Sequence, residues 1–330
     1  MAILGRIPGM APGCSGAVPG LFLGFSKGPL CFAVFGQYDD MKRIPVQRAL
    51  IICGVIVLAV AGAVGGALVA LPRGTPTPTS AETAALVADT HFTPHRALYD
   101  LKLVNTKPGG KINNVTGRMM FAWDDACEGW TIEQRLDMDY QYEGGGGQNT
   151  KTSLATWESK DAQRFRFAVR RATNGKTTEA FSGYAQMAST AMAHYTEPAD
   201  MDVPLATTTL FPTLHTLELL HQAKAGNRIF TREVFDGADE QGRNTISAFI
   251  GNPQTVMNIP GVPHAKLLAG RAWPVRMAFF APDNTSGMPD YEMSMLLQEN
   301  GIARTLTIEY SEFAVEATLR ELEPLPAVCS

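Results

Sequence analysis

Residues Trp130-Thr131-Ile132-Glu133-Gln134-Arg135-Leu136-Asp137-Met138-Asp139-Tyr140-Gln141-Tyr142-Glu143 alternate in character along the run. Ile132, Leu136, Met138, Tyr140 and Tyr142 share one parity, and Thr131, Glu133, Arg135, Asp137, Asp139, Gln141 and Glu143 hold the other. Successive side chains of a strand point to opposite faces, so this is a strand with one face on a core and one in water. The same period recurs outward in both directions. Tyr99, Leu101 and Leu103 show it upstream, and Phe165, Phe167 and Val169 alternate with Arg164, Arg166 and Arg170. Tyr291, Met293, Met295 and Leu297 follow, then Leu306, Ile308 and Tyr310, then Phe313, Val315, Ala317 and Leu319. About ten to fourteen strands are expected, joined by short turns such as Thr173-Asn174-Gly175-Lys176 and Glu299-Asn300-Gly301. The fold class is mainly β: a curled antiparallel sheet or barrel-like spiral, the usual way to manage long edges.

Two segments break this pattern. Leu214, Leu217, Leu220 and Ala223 have helical spacing between Pro212 and Gly226, which predicts one amphipathic helix over 212–225 that plugs or flanks the sheet. The tetraglycine Gly144–Gly147 reads as a hairpin tip. It lacks the Lys-Ser/Thr and following helix that a phosphate loop needs.

The chain has 330 residues, 45% hydrophobic and 18% charged, which suits a sizeable core rather than disorder. Met41-Lys42-Arg43-Ile44-Pro45-Val46-Gln47-Arg48 sets three positive charges before the uncharged run Ala49 to Leu71. That is the layout of an export signal, and it places the expected start at Met41, with residues 1–40 an upstream extension. At about 1.5 Å per residue the run is long enough to cross a hydrocarbon core of about 30 Å. Ala59, Ala61 and Ala63 nevertheless offer cleavage spacing, so a cleaved signal over 41–71 is favoured over a membrane anchor. An uncleaved run would contact the inner membrane. Residues 72–90, rich in Pro and Thr, read as an extended linker, and 91–330 as a single β domain. Past residue 74, 22 Lys and Arg stand against 30 Asp and Glu, a net of −8, and no nucleic-acid partner is expected.

Of five cysteines, Cys14, Cys31 and Cys53 precede the domain, which leaves Cys127 and Cys329. In an exported domain they read most simply as a pair, against two free thiols or an intermolecular bridge.

Chemistry is harder to find. His215 and His221 lie six apart, not four, and Thr93-Pro94 argues against a helix linking His91 and His95; His194 and His264 stand alone. No metal site, cofactor motif or nucleophile motif is read. Ser182 has nothing nearby in sequence to activate it, and Cys127 is a candidate nucleophile only if unpaired. Asp124-Asp125, Asp137/Asp139 and Glu321/Glu323 fall where solvated faces and turns are expected. Arg164, Arg166, Arg170 and Arg171 form the one basic cluster. It reads as a solvated outer face paired with acidic neighbours, ahead of a contact for anionic lipid or polymer.

Seven short blocks in order carry a resemblance: His95-Arg96-Ala97-Leu98-Tyr99-Asp100-Leu101, Cys127-Glu128-Gly129-Trp130-Thr131, Trp157-Glu158-Ser159-Lys160-Asp161, Phe211-Pro212-Thr213-Leu214-His215, Val234-Phe235-Asp236-Gly237, Trp273-Pro274-Val275 and Asn300-Gly301-Ile302. From about His95 to Cys329 the chain resembles the cell-envelope-integrity EipB family of alphaproteobacteria. The resemblance implies a periplasmic β-spiral loosely similar to lipoprotein carriers. It also implies one internal disulfide, which lands on Cys127 and Cys329. No enzymatic activity is implied, and association with a periplasmic tetratricopeptide-repeat protein is. The expectation is therefore a non-catalytic protein that maintains the envelope by binding another periplasmic protein, a lipid or lipoprotein ligand, or a wall glycan. The alternative is an envelope hydrolase acting on wall glycan or lipid. A carrier needs a lined apolar cavity; a hydrolase needs converging carboxylates or a Ser/His contact.

Overall fold

The computed structural model describes Thr83, Ala85, Leu86 and residues 92–326. The expected extension, the apolar run, and Cys14, Cys31, Cys53 and Cys329 lie outside them. Among the described residues no helix is long and apolar enough to cross a membrane.

Among the described residues fifteen strands follow in order: β1 (His95–Thr106), β2 (Ile112–Asp125), β3 (Gly129–Tyr142), β4 (Gly147–Ser159), β5 (Arg164–Thr173), β6 (Lys176–Gln186), β7 (Met192–Glu197), β8 (Met201–Pro204), β9 (Ile229–Phe235), β10 (Arg243–Ile250), β11 (Gln254–Val256), β12 (Gly270–Phe280), β13 (Tyr291–Gln298), β14 (Ala303–Glu309) and β15 (Phe313–Pro324). One α-helix, α1 (Pro212–Lys224), separates β8 from β9.

All fifteen strands join one sheet, in the order β8-β7-β6-β5-β4-β3-β2-β1-β15-β14-β13-β12-β10-β9, with β11 added on β12. β1 lies at the middle of the sheet, and from it the chain meanders outward to β8. It then crosses through α1 to the far end and meanders back until β15 pairs antiparallel with β1, from His95↔Pro324 to Thr106↔Phe313. β8 and β9, which would close a barrel, do not pair.

Alternation builds the sheet as the sequence predicts. Ile132, Leu136, Met138 and Tyr140 are buried, and so are Phe165, Phe167 and Val169. Gln134 shares the inward parity and is buried as well, its Nε2 donating to Met119 Sδ at 3.5 Å. Turns follow local chemistry. Asn174 and Gly175 take φ of +49° and +78° between β5 and β6, and Gly144 to Gly146 are all left-handed at the β3–β4 tip. Register shifts in β1, β2, β5, β6 and β13 add local twist to strands that already coil right-handedly. The two edges are kept short or covered: β8 has four residues and ends at Pro204, and Leu210 bridges Val234 on β9 in parallel.

Candidate functional site

The helix decides what the concave side of the sheet can hold. α1 runs from Pro212 to Lys224, as the spacing predicts, and left-handed Gly226 lies just past its end. The predicted stripe of Leu214, Leu217, Leu220 and Ala223 is buried, but so are Thr213, His215, Glu218 and Leu219. A helix buried on so many sides is a plug rather than a surface amphipath, which corrects the expected two-sided character.

One of its buried polar groups, Glu218, finds its partner on β9, whereas His215 Nε2 is buried without a hydrogen bond. Arg232 donates through Nε to Glu218 Oε2 at 3.2 Å and through Nη2 to Oε1, both side chains buried. The Arg232 guanidinium also lies 4.9 Å from the Phe230 ring centre. His215 packs on the same ring at 5.3 Å. Burial, then the nearby Arg232 charge, holds its imidazole neutral by pushing its pKa down to about 3.

The N-terminus of α1 is anchored from across the sheet. Phe211 offers no side-chain cap; instead Glu158 of β4 accepts the N–H of Thr213 at 2.7 Å and of Leu214 at 2.8 Å. A carboxylate there satisfies two orphan donors and meets the positive end of the helix dipole. Glu158 is fully buried, and desolvation pushes its pKa up to about 7 against those two N–H donors.

Around this cap, aromatic side chains join the unpaired ends of the sheet. Phe211 stacks on Phe165 at 4.9 Å, Phe235 meets Phe167 at 5.6 Å, and Phe167 meets Tyr195 at 4.9 Å. The loop after β9 is tied to the opposite arm by Tyr195 Oη donating to the Asp239 carbonyl and Arg171 Nη2 donating to the Ala238 carbonyl, each at 2.6 Å. Arg171 is also ion-paired with Glu179. It therefore faces inward and is not part of the outer basic face. Asp236 is buried and accepts the Ala238 N–H at 2.7 Å; burial raises its pKa well above the ordinary carboxylate value. Gly237, at φ +68°, lies where any Cβ would strike the Phe167 ring.

The space left beside α1 is small. A cavity of about 100 Å³ is lined by Trp123, His215, Leu219, Met277, Met293 and Met295 among others. Sites for drug-sized ligands run to about 300–1,000 Å³. Three of the methionines that could supply a carrier cavity, Met277, Met293 and Met295, line this space together with the helix, while Met257 and Met288 are exposed.

The other candidates are dispersed. Asp137 and Asp139 both accept from Asn149 Nδ2, and Lys151 holds the Asp137 carboxyl below its usual range against partial burial. Asp125 pairs with Lys160, and Glu323 with Arg96. Ser182 Oγ lies 2.9 Å from Thr196 Oγ1. His95 Nδ1 lies 2.8 Å from the Thr93 carbonyl, with its pKa lowered by burial. His194 contacts Asp202 at 2.7 Å, and His221 is exposed. Among the described residues no three His, Cys, Asp or Glu are placed to hold a metal ion. Cys127 occupies the β2–β3 turn at φ +63°, its N–H donating to Asp125 Oδ1 at 2.9 Å.

These features define a class: an open, barrel-like β-spiral plugged by its own crossover helix. The chain belongs to the EipB-like family, whose family model matches residues 87–326. It is 30% identical over 272 residues to the cell envelope integrity protein EipB of Brucella abortus, covering 80% of this chain and 94% of that protein. It is also similar to the crystal structure of a beta-barrel-like protein of the domain of unknown function DUF1849 from Brucella abortus. There the TM-score is 0.68 at 27% identity, over 72% of this chain and all of the other.

Proposed function

We propose that this protein works in the periplasm, where it maintains the cell envelope without catalysis by presenting the outer surface of its spiral to another protein. The observation that carries this reading is the plugged lumen: α1 occupies the concave side, and the cavity it lines measures about 100 Å³, too little for an acyl chain or a lipoprotein anchor. A protein partner, such as the tetratricopeptide-repeat protein that the resemblance implies, is therefore favoured over a lipid ligand. The relative's role in envelope integrity supports the cellular setting.

Closure of the domain by a Cys127–Cys329 disulfide belongs to the same proposal. Pro324 pairs with His95, His95 with Trp123, and the Leu325 N–H donates to the Pro94 carbonyl at 3.0 Å. The tail thus ends two strands from the turn that holds Cys127, roughly 10 Å sideways. Five further residues reach up to about 17 Å.

The test is complementation of a deletion strain, scored as survival in detergent. The full chain is expected to restore survival, and a chain lacking residues 41–71 is expected to remain in the cytoplasm and restore nothing. Rescue by the retained chain would overturn the envelope assignment.

A further inference from the structure

The outer face of the β4–β8 arm carries a row of side chains in direct cross-strand register. Trp157 of β4 opposes Arg166 of β5, Arg166 opposes Tyr184 of β6, Tyr184 opposes His194 of β7, and His194 opposes Asp202 of β8. Strand alternation puts all five on the face away from the core, since Glu158, Phe165, Phe167, Ala185, Ala193 and Val203 beside them are buried.

The row is ordered. The Arg164 and Arg166 guanidinium carbons lie 5.4 and 5.6 Å from the centre of the Trp157 ring. The Tyr184 and His194 rings are 5.1 Å apart at 33°, and Asp202 holds His194. Tyr184 is 41% exposed. Beside the row a groove of about 590 Å³ is lined by Arg164, Arg166, Ser182, Tyr184, Gln186 and Thr196.

The cations in this row are not consumed by the fold. Elsewhere the outer faces pair their charges, as Arg96 does with Glu323, Lys151 with Asp137 and Arg276 with Glu292. Among the described residues neither Arg164 nor Arg166 is in an ion pair; Asp161 only senses the Arg164 charge from nearby. The sequence expectation of pairing with acidic neighbours therefore does not hold at these two positions. On a chain whose net charge past residue 74 is −8, two guanidinium groups that stack on an indole without an ion pair are a local inversion of sign.

We propose that this groove binds an acidic glycan, a chain of pyranose rings bearing carboxylates. Flat aromatic faces flush with a sheet offer apolar contact to sugar rings. Guanidinium groups take carboxylates bidentately, and Ser182, Gln186 and Thr196 supply hydroxyl and amide partners. An anionic membrane would call instead for apolar side chains that project into the interface, and here the rings lie in a ladder against their neighbours. The inference goes beyond the envelope role proposed above and relies on it only for where such a glycan is met.

Tryptophan emission provides the readout, because Trp123, Trp130 and Trp273 are buried and Trp157 is the partly exposed indole. The full chain is titrated with peptidoglycan strands freed of peptide, which carry lactyl carboxylates, and in parallel with the neutral oligomer chitohexaose. Saturable quenching by the acidic strands is expected, with chitohexaose at least tenfold weaker. Arg166→Gln and Tyr184→Ala, both on the solvent side, are each expected to weaken binding by roughly tenfold with unchanged thermal unfolding. Equal affinity for the two oligomers, unchanged affinity in both variants, or quenching only by phosphatidylglycerol vesicles would each overturn the proposal. If the glycan does not bind but the chain still rescues the deletion strain, this inference fails and the envelope role stands.

Discussion

The two arms of the spiral meet twice, at the centre of the sheet and at its open ends. Between β1 and β15 the joint is main chain: an antiparallel ladder whose outer face carries exposed pairs such as Arg96–Glu323 and Arg320–Asp100. Between β8 and β9 there is no ladder, and the joint is side chain: α1, the Phe165–Phe211 stack, the Glu158 cap and the Glu218–Arg232 pair. A backbone ladder tolerates many side chains because its hydrogen bonds are independent of residue type. A side-chain joint gathers buried polar groups, each of which is costly to leave unpaired.

The widest separation between the joints is expected at their ion pairs. Arg232→Ala strands the Glu218 carboxylate in the core and should cost about 3–5 kcal/mol, as a fall in the urea midpoint. Arg96→Ala removes one arm of an exposed pair on the central ladder and should cost under about 1 kcal/mol. Equal losses would mean that the seam contributes no more than the surface does.

The same contrast sets how much could be read beforehand. The ladder strands are legible because each buries one parity; Trp130 to Glu143 needs no tertiary information beyond that. Gln134 was unreadable because a polar residue in an inward slot is settled by what faces it, here Met119. Glu158, Glu218 and Arg232 look like ordinary solvated charges along the sequence. Their burial arises only when residues far apart in the chain converge: Glu158 is 55 residues from Thr213. Three of the seven blocks that carried the family resemblance, those holding Glu158, Phe211–His215 and Phe235–Gly237, meet at this seam. No periodicity argument could have brought them together. The outer row from Trp157 to Asp202 was half legible: its arginines stood out, and its aromatic partners lie on other strands.

A smaller effect separates the joints by pH. Glu158 moves from an ordinary value near 4.5 to about 7 in the fold, so its neutral form is the one the buried cap favours. The unfolded chain releases that proton at lower pH, so the stability due to Glu158 is full below about pH 4.5. It is lost as pH rises toward 7 and is constant above, by an amount on the order of 3 kcal/mol. Asp236, also raised, slopes the same way, so the comparison is wild type minus Glu158→Gln in urea between pH 5 and 8. That difference should fall with rising pH. A flat or rising difference would show that the two N–H donors and the helix dipole outweigh desolvation.

The finest comparison uses two glycines with similar backbones and unlike surroundings. Gly144 at the β3–β4 tip and Gly237 at the seam have φ of +86° and +68°, so alanine meets comparable backbone strain at either, about 1 kcal/mol. Around Gly144 nothing lies within 4 Å of an added Cβ, whereas at Gly237 the Phe167 ring is 2.4 Å away. Phe167 is held by Phe165, Tyr195 and Phe235 and cannot swing aside without disturbing the aromatic cluster. Gly237→Ala should therefore cost roughly 1–3 kcal/mol more than Gly144→Ala in thermal or urea unfolding. A difference near zero would mean that the seam yields to one added methyl and that its aromatic packing is looser than the ladder it stands in for.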